Sequence, residues 1–214
     1  MGSPTCPSCG APVQFRSAAP YAVCAFCRSL LVRRDASLES IGRVAEVPDD
    51  LSPLQLHTAG VFEGKPYSLI GRIRKTWEQG SWSEWCAQFD QGQFGWLAEA
   101  QGDLVMTFER ALTDLIGVSS PDALTQAGPG TTLNIGGRQF STSDVKVVTV
   151  TAAEGELTSA AITGMNMTSI DLHGPGVAFA TLEIAAKQSR LFVGRFVEFD
   201  ECRFSNLRQL EGWS

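Results

Sequence analysis

Two closely spaced cysteine pairs constrain the start of this chain more than any other feature of its sequence. Cys6 and Cys9 form one C-x-x-C motif, and Cys24 and Cys27 form a second. Two intervening residues let one tight turn aim both sulfur atoms at a single ion, and four thiolates complete the tetrahedral shell that Zn²⁺ prefers. The pairs therefore predict a zinc ribbon over residues 1–34 that binds one Zn²⁺ ion. Since the shell is closed, the predicted zinc is structural rather than catalytic.

The residues around the cysteines predict the local structure of this ribbon. VQFRS (residues 13–17) and YAV (residues 21–23) have the length for two short strands, and SLLVR (residues 29–33) can supply a third. Gly10 directly follows the first pair and offers the positive φ that a metal-binding turn often needs. Arg28 occupies the equivalent place after the second pair.

Three other interpretations of the cysteines are weaker. A disulfide framework suits secreted proteins, but the N-terminus has neither the basic region nor the apolar core of a signal peptide, and Cys86 and Cys202 occur singly. A thioredoxin-like redox motif needs a βαβ context that the sequence does not show. An iron–sulfur cluster also uses four cysteines, although a ribbon with two knuckles is more often a zinc site. Cysteines stay reduced in the cytoplasm, and we therefore expect a cytoplasmic protein.

The composition limits the classes of partner. The 214 residues carry a formal net charge of −6, which argues against broad nucleic-acid binding and against attachment to anionic lipids. No uninterrupted apolar run approaches the roughly 20 residues of a membrane helix. A hydrophobic content of 43% supports a true core, and 21 glycines with 10 prolines suit many short strands and turns.

The chain after the ribbon predicts two β-rich units. Residues 54–110 alternate apolar and polar positions between glycine-containing turns, as in a meander of five short antiparallel strands, and residues 131–214 form a second such unit. Residues 35–53 predict a linker or a short amphipathic segment, and residues 111–130 predict a connector in which SSPD begins a helical turn. The predicted fold class is mainly β, with an N-terminal zinc ribbon followed by two small tandem antiparallel β-barrel-like modules. The terminal Trp213 is expected to fill a core.

Three pairs of short sequences predict that one β module was duplicated. They are GKPYS (64–68) with GRQFS (137–141), QGSW (79–82) with EGEL (154–157), and WLAE (96–99) with FATLE (179–183). The pairs occur in the same order along the chain. Chance is the competing explanation, since a glycine turn followed by an aromatic residue is common in all-β chains.

Several segments also carry a family resemblance. They are SPLQL (52–56), GSWSEW (80–85), GWLAEA (95–100), EGEL (154–157), DL (171–172) and FATLE (179–183). Together with the cysteine pairs they resemble a bacterial domain-of-unknown-function family, DUF4178, over nearly the whole chain. The resemblance implies an N-terminal zinc ribbon before a β-rich part and no established activity. It further implies an assembly with a polyamine-synthase-like enzyme or a small membrane protein. His173 departs from the arginine expected after DL.

A few residues could carry chemistry, and each has a simpler structural explanation. Asp171 and His173 point to one face of a strand, as an acid/base pair or half of a metal site would, but His173 can equally flank a turn. Cys86 and Cys202 lack a nearby base that would make them nucleophiles. Glu84 and Glu99 could form a carboxylate pair in a cleft, or could face solvent.

Two residue sets could instead form contact surfaces. The aromatic residues predict either the core of a small barrel or a partner-binding surface; they are Trp77, Trp82, Trp85, Phe89, Phe94 and Trp96. The arginines of the ribbon predict either a phosphate-contacting face or a charged strand edge that discourages pairing; they are Arg16, Arg28, Arg33 and Arg34.

The sequence favours a non-enzymatic adaptor or scaffold. A closed metal site stands beside β units without an evident catalytic constellation, so the ribbon and the β modules are expected to mediate protein–protein contacts in a bacterial cytoplasmic or membrane-associated assembly. Nucleic-acid binding through the arginines is one alternative. An uncharacterised enzyme on the β scaffold, using Asp171 and His173 or Glu84, is another. Chelation is expected to unfold residues 1–34 and to leave the β-rich part largely intact.

Overall fold

The computed structural model describes residues 4–35, 37–117, 120–186 and 188–210. It confirms a mainly β chain with antiparallel sheet pairing and, among these residues, one short helix. The described strands are β1 (Tyr21–Val23), β2 (Ser29–Arg34), β3 (Ser37–Arg43), β4 (Ala59–Phe62), β5 (Lys65–Trp77), β6 (Gly80–Phe89), β7 (Phe94–Ala100), β8 (Asp103–Arg110), β9 (Leu115–Ile116), β10 (Thr132–Ile135), β11 (Arg138–Leu157), β12 (Asn166–His173), β13 (Ala178–Ala185) and β14 (Gln188–Val197). The helix is α1 (Pro121–Ala127).

Eight strands form a closed, barrel-like ring in the order β5–β6–β7–β8–β14–β13–β12–β11. Strand β11 closes the ring because its first part pairs with β12 and its later part pairs with β5, both antiparallel. Four strands come from each half of the chain, and the halves meet at β8–β14 and at β11–β5. Both predicted β units therefore contribute to one sheet, while the exact domain bounds stay a prediction.

Two glycines allow the closure between β5 and β11. Gly71 lies opposite Gly155 in the strand register. A Cβ atom on Gly71 would lie 2.0 Å from the carbonyl oxygen of Glu156, and one on Gly155 would lie 2.2 Å from that of Ile70. Gly155 also has a φ of +71°, which other residues adopt at a cost. Residues with side chains would hold these strands apart.

Alternating side chains give the ring an inner and an outer face. On β6, Trp82 and Cys86 belong to the inner cluster together with Phe192 of β14, whereas Trp85 and Ala87 belong to an outer cluster. This alternation follows from the two-residue period of a strand. The outer cluster on β5–β8 is covered by the segments around Leu54 and Cys202, and a third cluster, on β12–β14, is covered by α1 and β10.

The ribbon packs directly against the ring. Strand β1 pairs with β2 on one side and with the end of β11 on the other. Four apolar ribbon-side residues join the inner cluster, namely Ala19, Val23, Leu30 and Val44. Buried Glu156 of β11 accepts hydrogen bonds from the backbone N–H of Arg16 at 2.7 Å, and from the backbone N–H and hydroxyl of Ser17 at 3.1 and 2.6 Å. The cysteine-bearing segment and the ring thus share one packed interface.

Several local predictions can be compared with these elements. YAV and SLLVR form β1 and most of β2, as predicted, and Ser120 caps α1 at the predicted SSPD turn. VQFRS forms no regular strand, and the backbone N–H groups of its last two residues, Arg16 and Ser17, donate to the Glu156 carboxylate instead of a neighbouring strand. The segment predicted as a linker contains β3, which pairs with β2.

The predicted duplication has a counterpart in the strand order, since each half consists of one short strand followed by a long strand and three more. GKPYS and GRQFS both begin the long strands, and WLAE and FATLE both lie on the third of the ring strands in each half. QGSW and EGEL do not correspond, because QGSW spans the turn before β6 and EGEL lies within β11. Trp213 lies outside the described residues.

Candidate functional site

Two equivalent turns position the four cysteines. The backbone N–H of Gly10 donates to the carbonyl of Cys6 at 2.8 Å, and that of Arg28 donates to the carbonyl of Cys24 at 3.0 Å. Gly10 has a φ of 75°, as predicted, and Arg28 has a φ of 59°. Each turn therefore bends its two thiols towards the same point. Arg28 bears the αL conformation that glycine adopts without cost in the first turn.

The sulfur atoms have the spacing of a tetrahedral metal site. The four Sγ atoms lie within 4.8 Å of one another, with Cys6–Cys27 at 3.7 Å and Cys9–Cys24 at 3.8 Å. A tetrahedron with Zn–S bonds of about 2.3 Å has edges of about 3.8 Å. None of the six cysteines, all of which lie among the described residues, forms a disulfide. The predicted residues therefore converge into a cluster that could hold one metal ion.

The surroundings of the cluster support a thiolate site. Cys6 and Cys24 are buried in a small apolar cluster with Val13 and Leu31. The Ser29 hydroxyl lies 3.2 Å from Cys27 Sγ, and hydrogen bonds from its side chain and backbone lower the pKa of Cys27 to about 6. A backbone hydrogen bond from Ala11 lowers the pKa of Cys9, but burial and the three neighbouring thiols outweigh it and raise that pKa to about 12. A lower pKa favours the thiolate, which is the form that binds metal. Hydrogen bonding around a ligating sulfur also orients it.

One aromatic side chain projects from the second turn. Phe26 stands between Cys24 and Cys27 in the sequence, and 72% of its surface is exposed. Burial is the usual position of phenylalanine in a folded chain. The turn that carries Phe26 is held by its own hydrogen bonds and by packing against β2. Phe26 is therefore an exposed apolar side chain on a turn that hydrogen bonds and packing hold in place.

Asp171 and His173, the possible acid/base pair, do not assemble into a dyad. Asp171 lies 3.5 Å from Lys146, and burial raises the pKa of Asp171. His173 packs edge-on against Phe179 and Phe196, with ring centroids 5.8 and 5.4 Å away. Within the described part of the chain, no hydrogen bond joins Asp171 to His173. Their shared strand face does not by itself create acid/base geometry.

The two single cysteines are buried thiols. Cys86 lies inside the ring and is fully buried, and this burial raises its pKa to about 12. Cys202 is buried beside Tyr67, and burial raises its pKa too. A thiol with a raised pKa is a poor nucleophile at neutral pH.

Glu84 and Glu99 occupy opposite faces of the ring wall. Glu84 accepts hydrogen bonds from Lys75 and from the Trp82 indole on the inner face. Glu99 accepts hydrogen bonds from Ser52 at 2.7 Å and from the Trp85 indole at 3.0 Å on the outer face. The two carboxylates therefore do not form the pair that the sequence left open, because Glu99 lies opposite Ser83 and Glu84 lies opposite Ala98 in the β6–β7 register.

The aromatic residues fill the core rather than a contact surface. Four are buried, namely Trp82, Trp85, Phe89 and Trp96, while Trp77 and Phe94 are half-buried and pack against the inner cluster. The partner-binding interpretation of this set is therefore not supported by its position, and the core interpretation is correct. Trp96 is an exception in one respect, since it also lines an internal cavity.

The ribbon arginines are engaged with groups of the protein itself. Arg28 pairs with Glu46, Arg34 pairs with Glu39, Arg33 lies over the Phe15 ring and donates to the Ser17 carbonyl, and Arg16 contacts His57. Two of the four charges thus face carboxylates, which matches the strand-edge interpretation better than a phosphate-contacting face.

The sequence interpretation missed a charged cavity inside the ring. A cavity of about 730 Å³ is lined by Lys75, Glu84, Glu109, Glu183 and Arg190, together with apolar side chains. Lys75 is buried between the carboxylates of Glu84 and Glu183. The signal that could have found it is the alternation of β5 itself, because Lys75 shares the face of buried Ile73. A cation on an apolar strand face requires a buried counter-charge.

The comparisons with known proteins identify a domain and no activity. A family model described as a domain of unknown function (DUF4178) matches residues 55–199, which is about two thirds of the chain. The matched part holds all eight ring strands and begins after the ribbon. No curated protein and no solved structure matches the chain. Among the described residues, no helix has the length and apolar character needed to cross a membrane.

Proposed function

The chain belongs to the DUF4178 family, and we propose that it is a non-enzymatic zinc-ribbon adaptor that mediates protein–protein contacts. In this proposal the ring is the scaffold, and the ribbon is a protruding contact surface held in a defined position on the ring. Support comes from the β1–β11 pairing and from the Glu156 hydrogen bonds that join the two parts. An adaptor needs such a rigid support, because ordering a mobile contact surface would reduce affinity.

Zinc is the proposed metal of the cysteine cluster. The Sγ–Sγ distances of 3.7 and 3.8 Å support it, as do four thiolate donors without a carboxylate or histidine. Zinc would fix the two turns and hence the orientation of Phe26. Metal analysis of protein prepared without chelators should give one equivalent of zinc per chain. Iron with an absorbing cluster, or less than about half an equivalent of zinc, would contradict this assignment.

The observation that carries the adaptor proposal is the exposure of Phe26. Aromatic side chains are frequent energetic anchors of protein interfaces, and a rigid, exposed one loses little entropy when it binds. A phenylalanine held at the tip of a metal-bound turn is placed to enter a pocket on another protein. A substitution that removes it should weaken binding while leaving the metal site intact.

A site-specific crosslinking experiment tests this role. A photoreactive phenylalanine analogue at position 26, introduced into the full chain in a bacterial host that encodes it, should give one dominant crosslinked protein. In affinity purification of the uncrosslinked chain, Phe26→Ala should reduce recovery of that protein at least about tenfold, since an interface anchor contributes about 2 kcal/mol or more. Val147→Ala is the matched control, because Val147 is a 67% exposed apolar residue on the ring. Equal recovery with both variants would refute the contact surface.

The partner is proposed from the family resemblance. A polyamine-synthase-like enzyme and a small membrane protein are the candidates, and mass spectrometry of the crosslinked band distinguishes them. We place the chain in the cytoplasm, because free thiolates require a reducing compartment. Band shifts with DNA or RNA that disappear as salt rises would favour the nucleic-acid alternative instead.

The non-enzymatic character is also part of the proposal. It is supported by the separation of Glu84 from Glu99, by the buried state of Cys86 and Cys202, and by the packing of His173 against two phenylalanine rings. Broad hydrolase and transferase screens of the wild-type protein should give no turnover. Turnover that His173→Ala abolishes would overturn this point.

A further inference from the structure

The ring encloses a cavity that has the size of a ligand site. Its volume of about 730 Å³ lies within the range of small-molecule pockets. An eight-stranded ring is about as narrow as a barrel can be while still holding one small ligand. The cavity wall includes exposed Asn166 and Gln188, so it is reached from solvent at the end of the ring where β12 and β14 begin. Neither the family match nor the adaptor proposal assigns it a role.

Charged side chains are concentrated at one part of the wall. Lys75 Nζ lies 2.6 Å from Glu84 Oε2 and also contacts Glu183 Oε1. The three side chains are only 3%, 16% and 12% exposed, in the order Lys75, Glu84 and Glu183. The Trp82 indole donates to Glu84 Oε1 at 2.9 Å. Among the described residues no donor reaches the second oxygen of Glu183, which leaves it as an acceptor for a molecule in the cavity.

The charges of the cavity wall do not cancel. Arg190 holds Glu109 through two hydrogen bonds of 3.1 and 2.7 Å, and that pair is neutral. Lys75 faces two carboxylates, so the Lys75–Glu84–Glu183 cluster carries one excess negative charge when all groups are ionised. Burial raises the pKa of Glu84, which is the expected response to an uncompensated charge in a region of low polarity. A bound cation would supply the missing charge.

The rest of the wall is apolar. Ile73, Trp96, Met167 and Phe192 line the same cavity as the charged cluster. A hydrated inorganic cation would gain nothing from these side chains. Among the described residues the cysteine cluster is the one group of three or more metal-type ligands close enough to share an ion, and the two carboxylates of the cavity cluster already face the Lys75 ammonium. The occupant should therefore combine one positive charge with an apolar body.

We propose that the cavity binds a small organic monocation, consisting of one protonated amine attached to an apolar body. The ammonium group donates to Glu183 and lies beside Glu84, and the apolar body packs against Trp96 and Phe192. One excess carboxylate matches one positive charge, whereas a carboxylate ligand would add to the repulsion. A neutral ligand would leave the excess charge unpaired.

A matched set of probes tests the charge requirement in the full, zinc-loaded chain. Isothermal titration with hexylammonium chloride should show one saturable site. 1-Hexanol and sodium hexanoate, which have the same apolar chain, should bind at least about tenfold more weakly, because a charge-assisted hydrogen bond contributes about 1.5–3 kcal/mol. Equal binding of the three probes, tighter binding of hexanoate, or no saturable binding of hexylammonium at millimolar concentration would overturn the proposal.

Two variants test where the probe binds. Glu183→Gln keeps the side-chain shape and removes the excess charge, so affinity for hexylammonium should fall at least about tenfold. Glu39→Gln, on the exposed β3 strand of the ribbon, is the control and should bind as the wild type does. Ala185→Leu adds bulk to the cavity wall and should weaken hexylammonium and hexanol together. Unchanged hexylammonium affinity in Ala185→Leu would show that the site lies elsewhere.

These outcomes are separable from the adaptor proposal. Phe26→Ala should bind hexylammonium as the wild type does, since Phe26 does not line the cavity. Glu183→Gln should retain the protein partner that crosslinks at position 26. Should Glu183→Gln fail to fold, the comparison of the three probes and the Ala185→Leu variant still decide the proposal.

Discussion

Replacement of Lys75 by methionine should strongly destabilise the ring. Methionine has nearly the length and volume of lysine but carries no charge and donates no hydrogen bond. Lys75 is 3% exposed in its side chain and contacts Glu84 and Glu183, which come from β6 and β13. The substitution therefore leaves two carboxylates buried within one cavity wall without their cation, while the packing changes little.

The size of the effect follows from the geometry. At the 2.6 Å separation of Lys75 and Glu84, the Coulomb attraction is about 6 kcal/mol with an effective dielectric constant of about 20. Most of this attraction offsets the cost of removing both charges from water. The loss of one partner leaves that cost uncompensated, and measured losses for buried pairs are about 3–5 kcal/mol. We expect Lys75→Met to lose about this much of a total stability of about 5–15 kcal/mol.

Urea unfolding of four proteins measures the prediction: wild type, Lys75→Met, Glu183→Gln and the double variant. Glu183→Gln removes one of the orphaned carboxylates, so the double variant should recover part of the loss and be less destabilised than Lys75→Met alone. Lys65→Met is the matched control, because Lys65 is an exposed residue at the start of the same strand. The control should unfold within about 0.5 kcal/mol of the wild type.

The stability loss of Lys75→Met should change with pH in a defined direction. Without Lys75, burial should raise the folded-state pKa values of the two carboxyls above the unfolded value of about 4.3. Stability from such groups is present below the unfolded pKa and is lost as pH rises through the folded pKa. The deficit of Lys75→Met should therefore be smaller near pH 4 than near pH 7. A loss below about 1 kcal/mol at neutral pH, or a loss that does not change with pH, would refute the buried-charge explanation.

Four further perturbations probe the rest of the structure. Removal of metal by a chelator should unfold the ribbon and also lower the melting temperature of the ring, because ribbon residues belong to the inner cluster. The expected decrease is about 2–4 °C for each kcal/mol of lost packing. An unchanged melting transition of the ring in calorimetry would contradict this prediction. Glu156→Ala should speed amide exchange across β1 and β2 by at least about tenfold through the loss of three hydrogen bonds, with zinc content unchanged, and equal exchange would show that these bonds do not hold the ribbon. Asp50→Asn should lower the free energy of unfolding by on the order of 2 kcal/mol near pH 7, because it removes the ion pair with Arg72. Burial raises the pKa of Asp50, but Arg72 outweighs this effect and holds that pKa below its usual value. That stability is present above the unfolded pKa and is lost as pH falls through the lowered one, so a cost that persists in acid would argue against the ion pair. Gly155→Ala should destabilise the ring by at least about 2 kcal/mol in urea unfolding. The φ of Gly155 is +71°, and a Cβ atom there would lie 2.2 Å from the Ile70 carbonyl oxygen. Unchanged stability would show that the two strands can separate at this point.

The cysteine cluster could be predicted because its geometry is local. Each turn brings two sulfurs together within four residues, and the residue after each pair adopts the positive φ that such a turn requires. The α1 start at Ser120 was predictable for the same reason, since its cap bond spans three residues. Strand positions in both halves also followed from local alternation and turn residues.

The cavity and the aromatic core could not be predicted in this way. The partner of Lys75 on β13 lies 108 residues further along the chain, and alternation indicates which residues share a strand face without indicating which strands meet. The same limit applies to Glu84 and Glu99, which seemed near in sequence yet occupy opposite faces. The backbone hydrogen bonding of VQFRS depends on Glu156, which lies about 140 residues away in the sequence.

By itself, the sequence determined the mainly β class and the clustering of the four cysteines, because both depend on spacings of a few residues. Only the tertiary structure decided that strands from the two halves close into one ring, that the ribbon packs on its end, and that the ring encloses one lysine between two glutamates. Ring closure needs β11 to pair with β12 and with β5 at once. Such pairing is selected by the burial of whole strand faces and not by any single local motif.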